Sequence, residues 1–298
     1  MVDGSSALAK KYKISDLAIG LTIVAFGTSA PELVVNVFAN VDGHQGIIFG
    51  NIIGSNNFNL FAILGIAGLI SPLIVQSSTV WKEIPISLAA VIILYTLTNE
   101  IFSDGPEVLS RMDGLILLIL FVAFLYYVYR QFKNDPAQTK IEAKPFTTGK
   151  IWLLIVIGLS GLVIGGNLVV TNAVSMATAM GVSETIIGLT IVAAGTSLPE
   201  LATSVVAAFK KNNDIAVGNV IGSNIFNLFF ILGVTATVRP VPYDMVFNDD
   251  LFLLSMGTMF LFLCMFVGKR HVLQRWQAAV LFFTFVGYTI YLVSRELQ

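Results

Sequence analysis

Apolar segments recur along this chain at lengths that suit a lipid bilayer. A helix needs about 20 apolar residues to cross a hydrocarbon core of ~30 Å, and nine segments reach such a length between short polar breaks. We therefore predict an all-α membrane protein with nine transmembrane helices. The predicted spans are residues 17–40, 47–70, 83–101, 113–130, 151–178, 184–209, 215–237, 249–268 and 273–294.

The longest polar interruption, residues 131–149, divides the pattern almost in half. We interpret it as a linker between a first half, 1–130, and a second half, 150–298. If the linker is cytoplasmic and the spans alternate, 14 of the 17 Lys and Arg residues lie on its side of the membrane and three lie opposite. Basic residues concentrate on the cytoplasmic side. We therefore predict a multi-pass protein of the cell membrane, plasma or inner, with this linker in the cytoplasm.

Composition narrows the functional classes. The chain is 56% hydrophobic and 12% charged, whereas about a quarter of a soluble domain is charged. A net charge of -1 gives no sign of a nucleic-acid partner, and the single cysteine, Cys264, forms no internal disulfide and binds no metal alone. No polar stretch is long enough for a soluble catalytic domain. We expect a monomer in the lipid bilayer that is not an enzyme and has no cofactor.

The chain contains a duplicated module, which is sought early because a repeat defines the fold. A shift of 168 residues aligns residues 14–72 with residues 182–240 without gaps, and 31 of these 59 positions are identical. Within the two copies, GTSAPE recurs as GTSLPE, and GNIIGSNNFN recurs as GNVIGSNIFN. On the predicted topology the copies cross the membrane in opposite directions. Inverted repeats of this kind are typical of secondary transporters, whose site lies at the repeat interface near mid-membrane.

The two copies differ at their starts. The second copy is preceded by the predicted span 151–178, whereas the first has no counterpart, since residue 2 aligns with residue 170. We expect that a first helix is missing, either because the chain is truncated or because the protein lacks that helix.

Two acidic residues stand apart from the rest. Of 18 acidic residues, 16 fall in loops or at span ends, while Glu32 and Glu200 lie deep in predicted spans at equivalent repeat positions. A carboxylate at the bilayer centre costs a few kcal/mol and needs a partner or a function, and no Lys or Arg is predicted at that depth. A protonated glutamic acid bound to a neighbouring helix is the structural alternative, but it would have to arise twice.

Oxygen-bearing groups surround each glutamate. Thr28 precedes Glu32 by four residues, which places both side chains on one helix face. Pro31 lacks an N–H and clashes with the carbonyl of Gly27, so we predict a kink that frees this carbonyl. The second copy repeats the arrangement. Hydroxyl, carbonyl and carboxylate oxygens suit a hard cation: Ca²⁺ takes 6–8 of them, and Na⁺ also accepts them.

The second motif adds more oxygen. Ser55 and Asn59 have i, i+4 spacing on one helix face, and Ser223 and Asn227 match them. Two questions stay open in this motif. Close helix packing explains its glycines at least as well as a direct ligand role, and packing or support of the ligands is about as plausible as ligation for its central asparagines. These residues are Gly50, Gly54, Gly218, Gly222, Asn56 and Asn224.

On these motifs the chain resembles the α-repeats of the cation/calcium exchanger superfamily, specifically its prokaryotic sodium/calcium exchanger branch. The resemblance covers nearly the whole chain. It implies ten helices in two inverted five-helix halves, alternating access, and antiport of Na⁺ against Ca²⁺. The cation ligands it implies are Thr28, Ser29, Glu32, Ser55 and Asn59, then Thr196, Ser197, Glu200, Ser223 and Asn227, with the backbone carbonyls of Ala25 and Ala193.

The resemblance also implies finer properties. Some members have Asp where Asn227 stands, a feature associated with potassium-dependent exchange, so we expect potassium independence. Exchange is expected to be electrogenic, with more than two Na⁺ per Ca²⁺. The family's first helix and its repeat mate, here 151–178, slide together to switch access. A proton/calcium antiporter is the alternative transport function, although that branch has a different signature, with Asn-Ala before the Thr-Glu pair. A non-transporting membrane scaffold is the alternative of another class.

Overall fold

The computed structural model describes residues 1–12, 14–99, 107–134 and 146–296. Its helices are α1 (Val2–Tyr12), α2 (Asp16–Thr28), α3 (Ala30–Asp42), α4 (Gln45–Ile70), α5 (Thr79–Thr98), α6 (Arg111–Asn134), α7 (Thr148–Ala179), α8 (Glu184–Ile187 continued by Gly188–Thr196), α9 (Leu198–Phe209), α10 (Asn213–Val238), α11 (Met245–Cys264) and α12 (Arg275–Glu296). Four two-residue strands connect them: β1 (Leu73–Ile74), β2 (Val108–Leu109), β3 (Val241–Pro242) and β4 (Val272–Leu273).

The nine predicted spans are recovered within the described residues. Seven helices are long and apolar enough to cross a membrane, and the number rises to nine when α2 with α3, and α8 with α9, each count as one bent span. α11 ends at Cys264 rather than at residue 268, because the chain turns through positive φ at Gly268 and His271. Helices α6 and α7 extend into both ends of the predicted linker, and residues 135–145, its middle, lie outside the described residues, as do the last two residues of the predicted span 83–101.

The short strands show that the two copies are inverted. β1 pairs with β4 and β2 pairs with β3, both antiparallel. Helix α5 runs from β1 to β2, so the two small sheets lie at opposite ends of the bundle. The shift of 168 residues carries β1 onto β3. Equivalent strands of the two copies therefore lie at opposite ends, as inverted repeats require.

Helices α4 and α10 form the centre of the bundle. Their most apolar windows are 89% and 94% buried, against 11–39% for the other five continuous spans. Each packs against the kinked helix of the other copy through glycines: a Cβ on Gly54 would lie 2.6 Å from the Leu189 carbonyl oxygen, and a Cβ on Gly222 would lie 2.9 Å from the Leu21 Cα. These contacts give the motif glycines a packing role, since small residues let helix backbones approach closely.

Helix α1 is an element that the apolar pattern did not predict, because its 11 residues are too few to span a bilayer. It packs against the start of α7, where a Cβ on Gly4 would lie 2.9 Å from Ile155 Cγ1. Leu8, Ala9 and Ile151 are buried in the same small apolar cluster. Helix α7 is otherwise largely exposed on the outside of the bundle.

We predict that Gly54→Ala destabilises the protein by about 1–3 kcal/mol, because the added methyl group would meet backbone atoms of α8 that cannot move aside. Thermal unfolding in detergent measures this change. Gly161→Ala is the matched control, since a Cβ at this helical glycine meets nothing within 4 Å. Equal melting temperatures for Gly54→Ala and the unsubstituted protein would contradict the packing argument.

Candidate cation site

Each copy has a break in its first transmembrane span. α2 and α3 meet at 42° and α8 and α9 at 53°. The break falls at Ser29 and at Ser197, with nearly identical dihedrals in the two copies, and a proline stands in the first turn after each break. The kink predicted from Pro31 is therefore present. Glu32 and Glu200 occupy the first turns of α3 and α9, where the helix dipole favours negative charge.

Five-residue or six-residue π-helical turns lie beside the breaks, and sequence reasoning did not predict them. Gly20–Val24 and Gly188–Val192 precede the two breaks, while Phe58–Ile63 and Phe226–Ile231 carry Asn59 and Asn227. Wide turns of this kind often occur at functional sites, because they disturb the regular backbone ladder. Both copies therefore depart from regular helix at the residues predicted to bind cations.

The two glutamates are held across the repeat interface. Ser197 Oγ donates to Glu32 Oε1 at 3.2 Å, and Ser29 Oγ donates to Glu200 Oε1 at 2.9 Å. Ser223 Oγ also donates to Glu200 Oε1, at 3.2 Å. Both glutamates are fully buried, and the second oxygen of each, Oε2, has no hydrogen-bond partner. Each copy thus positions the acid of the other while leaving one carboxylate oxygen available.

The motif asparagines form a symmetric amide cluster. Asn59 Nδ2 donates to Asn224 Oδ1 at 3.0 Å, and Asn227 Nδ2 donates to Asn56 Oδ1 at 2.9 Å. Asn56 and Asn224 also donate to each other's backbone carbonyls at 3.3 and 3.4 Å. The Oδ1 atoms of Asn59 and Asn227 are left without a partner. In this structure Asn56 and Asn224 hold the amides of the predicted ligands, which supports the second of the two roles left open above.

The threonines reveal two residues that sequence reasoning missed. Thr28 Oγ1 donates to Asn219 Oδ1 at 3.1 Å, and Thr196 Oγ1 donates to Asn51 Oδ1 at 3.0 Å. Asn219 Nδ2 in turn donates to the Glu200 carbonyl at 3.2 Å. These contacts join the central helix of one copy to the kinked helix of the other. The signal was present in the sequence, because Asn51 and Asn219 are identical at one repeat position.

The remaining predicted ligands lie against the same breaks. The Ala25 carbonyl accepts from Ser29 N at 2.9 Å, and the Ala193 carbonyl accepts from Ser197 N at 3.1 Å. Ser55 Oγ donates to the Ala193 carbonyl at 3.3 Å and lies 3.5 Å from Thr196 Oγ1. Ser55 therefore contacts a backbone oxygen, whereas its counterpart Ser223 contacts a carboxylate. The copies are similar but not identical in their hydrogen bonding.

Together these groups form a closed pocket of oxygen atoms. Every predicted ligand is buried, none more than 3% exposed. Within the described part of the chain, no Lys or Arg is among the buried residues, and no three His, Cys, Asp or Glu residues gather as a metal cluster. Two carboxylates and four partnerless oxygens, with no cationic side chain to neutralise them, suit a cation bound by mixed charged and neutral oxygens. The unpartnered atoms are Glu32 Oε2, Glu200 Oε2, Asn59 Oδ1 and Asn227 Oδ1.

Comparison with known proteins places the chain in a family. The family described as "Sodium/calcium exchanger protein" matches residues 1–130 and 150–294. The chain belongs to the sodium/calcium exchanger family. The sodium-calcium exchanger NCX_Mj, solved after soaking with Na⁺ and Sr²⁺, is similar over 96% of this chain and 90% of its own, with a TM-score of 0.77 and 33% identity. The fold is therefore that of a two-repeat inverted transporter.

Relatives within the sodium/calcium exchanger family differ in what they are named for. The inner membrane protein YrbG of Escherichia coli is 35% identical over 82% of this chain and 76% of its own length. The sodium/calcium exchanger MaX1 of Methanosarcina acetivorans is 29% identical over 98% and 93%. The Ca(2+)/H(+) antiporter ChaA of Bacillus subtilis is 30% identical over 77% and 70%. This exchanger-family chain is a multi-pass membrane transporter and not an enzyme.

We predict that Asn56→Ala weakens Ca²⁺ binding roughly tenfold, because loss of about one net hydrogen bond leaves the Asn227 amide free to rotate. Equilibrium binding of calcium-45 to the purified protein measures the change. Asn57→Ala is the matched control: Asn57 is equally buried, but its Nδ2 donates to the Asp250 carbonyl at 3.2 Å. Similar affinities for the two variants would mean that the amide cluster does not position the ligands.

Proposed function

We propose that this protein is an antiporter that exchanges Na⁺ for Ca²⁺ across the membrane by alternating access. The observation that carries the proposal is the pair of buried glutamates whose second oxygens face no donor, beside two asparagine oxygens in the same state. A single Ca²⁺ balances the two carboxylates. The neutral hydroxyl, amide and carbonyl oxygens around them are numerous enough to be shared among several Na⁺ sites.

Alternating access needs an element that can move without losing much packing. We assign this role to α7, in keeping with the sliding helix that the resemblance implies. Only 11% of its most apolar window is buried. It also touches the kink, since a Cβ on Gly27 would lie 3.0 Å from Leu159 Cδ2. A shift of α7 along the bundle would therefore change the support of the break while burying nearly the same apolar area.

The similarity to the antiporter ChaA keeps Ca²⁺/H⁺ exchange as the second candidate, and the two are separated by a flux measurement. Calcium-45 uptake into proteoliposomes loaded with Na⁺ should follow the imposed sodium gradient. Uptake that follows a pH gradient and ignores sodium would favour the proton antiporter. A scaffold would show neither uptake nor stabilisation by Ca²⁺ or Na⁺.

In the same assay we expect potassium to be dispensable, since Asn227 is neutral where potassium-dependent exchangers resemble one another in having Asp. Choline replaces potassium on both sides of the membrane. Strict loss of calcium uptake under this replacement would overturn the expectation.

We predict that Glu32→Gln or Glu200→Gln abolishes Ca²⁺ exchange while the protein stays folded, because each substitution removes half of the charge that balances Ca²⁺. Sodium-driven uptake is the readout, with monodisperse elution from a sizing column as the test of folding. Glu107→Gln is the control, since Glu107 lies in the loop before β2 and only partly buried. Normal uptake by either site variant would refute the site.

We predict that the exchange is electrogenic. Two glutamates hold a charge of −2, so bound Ca²⁺ leaves no net charge, whereas three Na⁺ leave +1. Each excess charge that crosses the membrane is worth ~2.3 kcal/mol per 100 mV. An inside-positive potential set with an ionophore should therefore accelerate calcium uptake driven by sodium efflux. A flux that ignores the potential would point to two Na⁺ per Ca²⁺.

A further inference from the structure

A second buried acid lies away from the exchange site. Sequence reasoning placed Glu83 at the end of a span, but α5 begins at Thr79, and Glu83 is fully buried inside the first turn of that helix. This first turn, Thr79–Glu83, is itself π-helical. Lys82, whose ammonium lies over the Tyr127 ring at 5.4 Å from its centroid, marks this end as the predicted cytoplasmic one.

Oxygens from two helices converge on this carboxylate. The Tyr127 hydroxyl on α6 contacts Glu83 Oε1 and also Gln131 Oε1. The Thr79 hydroxyl lies beside the carboxylate without a hydrogen bond of standard geometry. Glu83 Oε2 and Thr79 Oγ1 are both buried and without a partner. Five oxygens therefore meet here.

The hydrogens available at this cluster are too few for its oxygens. One hydroxyl has one hydrogen, so Tyr127 can donate to Glu83 or to Gln131 but not to both. If Glu83 were protonated on Oε2, that hydrogen would have no acceptor of standard geometry, and a buried donor without a partner is costly. A small cation would instead be bound by Oε2 and Thr79 Oγ1 together.

A related pair in the second half shows what such a contact does without these extra oxygens being needed. Tyr288 Oη donates to Asp250 Oδ1 at 2.9 Å, and both residues are buried between α11 and α12. An acid and a tyrosine are thus enough to join the last two helices of a half. The additional oxygens of Thr79 and Gln131 at Glu83 suit a ligand.

We propose that Glu83, Thr79, Tyr127 and Gln131 form a second cation site, selective for a monovalent ion such as Na⁺ and separate from the exchange site. One carboxylate balances one positive charge, so a divalent ion would leave a buried excess. The site joins the start of α5 to the end of α6, at the helix that leads into the central linker. A bound Na⁺ would stabilise this end of the first half. The proposal does not depend on the exchange function.

The test removes the exchange site first. In a Glu32→Gln/Glu200→Gln protein without Ca²⁺, the melting temperature should rise as NaCl replaces choline chloride at constant ionic strength. Adding Glu83→Gln should abolish this rise, while adding Glu107→Gln should leave it unchanged. Should the Glu83→Gln protein fail to fold, Thr79→Val removes one neutral oxygen and should raise the Na⁺ concentration that gives the half-maximal shift.

Three results would overturn the proposal. The first is the absence of a sodium-dependent rise in the protein that lacks only the exchange-site acids. The second is a rise that survives Glu83→Gln or is unchanged by Thr79→Val. The third is a melting temperature that follows pH and ignores sodium, with the pH response lost in Glu83→Gln, because Glu83 would then hold a proton.

Discussion

Two carboxylates share the interior of this transporter with no basic side chain buried beside them among the described residues. A carboxylate in a medium of low polarity is tolerated only when other groups stabilise its charge. Here serine hydroxyls of the opposite copy, the amino-terminal ends of two half-helices and a transported cation share that task. The breaks, the duplicated serines and the amide cluster can each be understood as a response to these two charges.

The same constraint explains why the copies are interleaved rather than side by side. Each central helix packs against the kinked helix of the other copy, with glycine backbones in contact at Gly54 and Gly222. Hydrogen bonds follow the same exchange, from Thr28 to Asn219 and from Thr196 to Asn51. Neither copy has a complete site of its own. The exposed position of α7 gives the assembly a surface element that can move while the interleaved centre stays packed.

The sequence predicted the spans and the site to different depths. Span lengths and the inverted duplication followed from hydrophobic runs and a shift of 168 residues, since both depend on local composition. The kinks followed from Pro31 and its counterpart. Burial of Glu83 and the partners of Asn56 were not predictable, because contacts between distant helices depend on how the bundle packs. Asn51 and Asn219 were visible as repeats, but only the structure shows their partners. The ligand set itself, from Glu32 to Asn227, stays a prediction.

The bond from Ser197 to Glu32 joins residues 165 positions apart. During synthesis, at about 5–20 residues per second, the serine is added roughly 8–33 s after its glutamate. For that interval the nascent first copy holds a polar helix whose partner does not yet exist. The ribosome-bound chain therefore depends on the insertion machinery, or on a shallow position near the headgroups, to shelter Glu32. Biogenesis of this fold is a waiting problem, and its duration is set by the distance in sequence between the two copies.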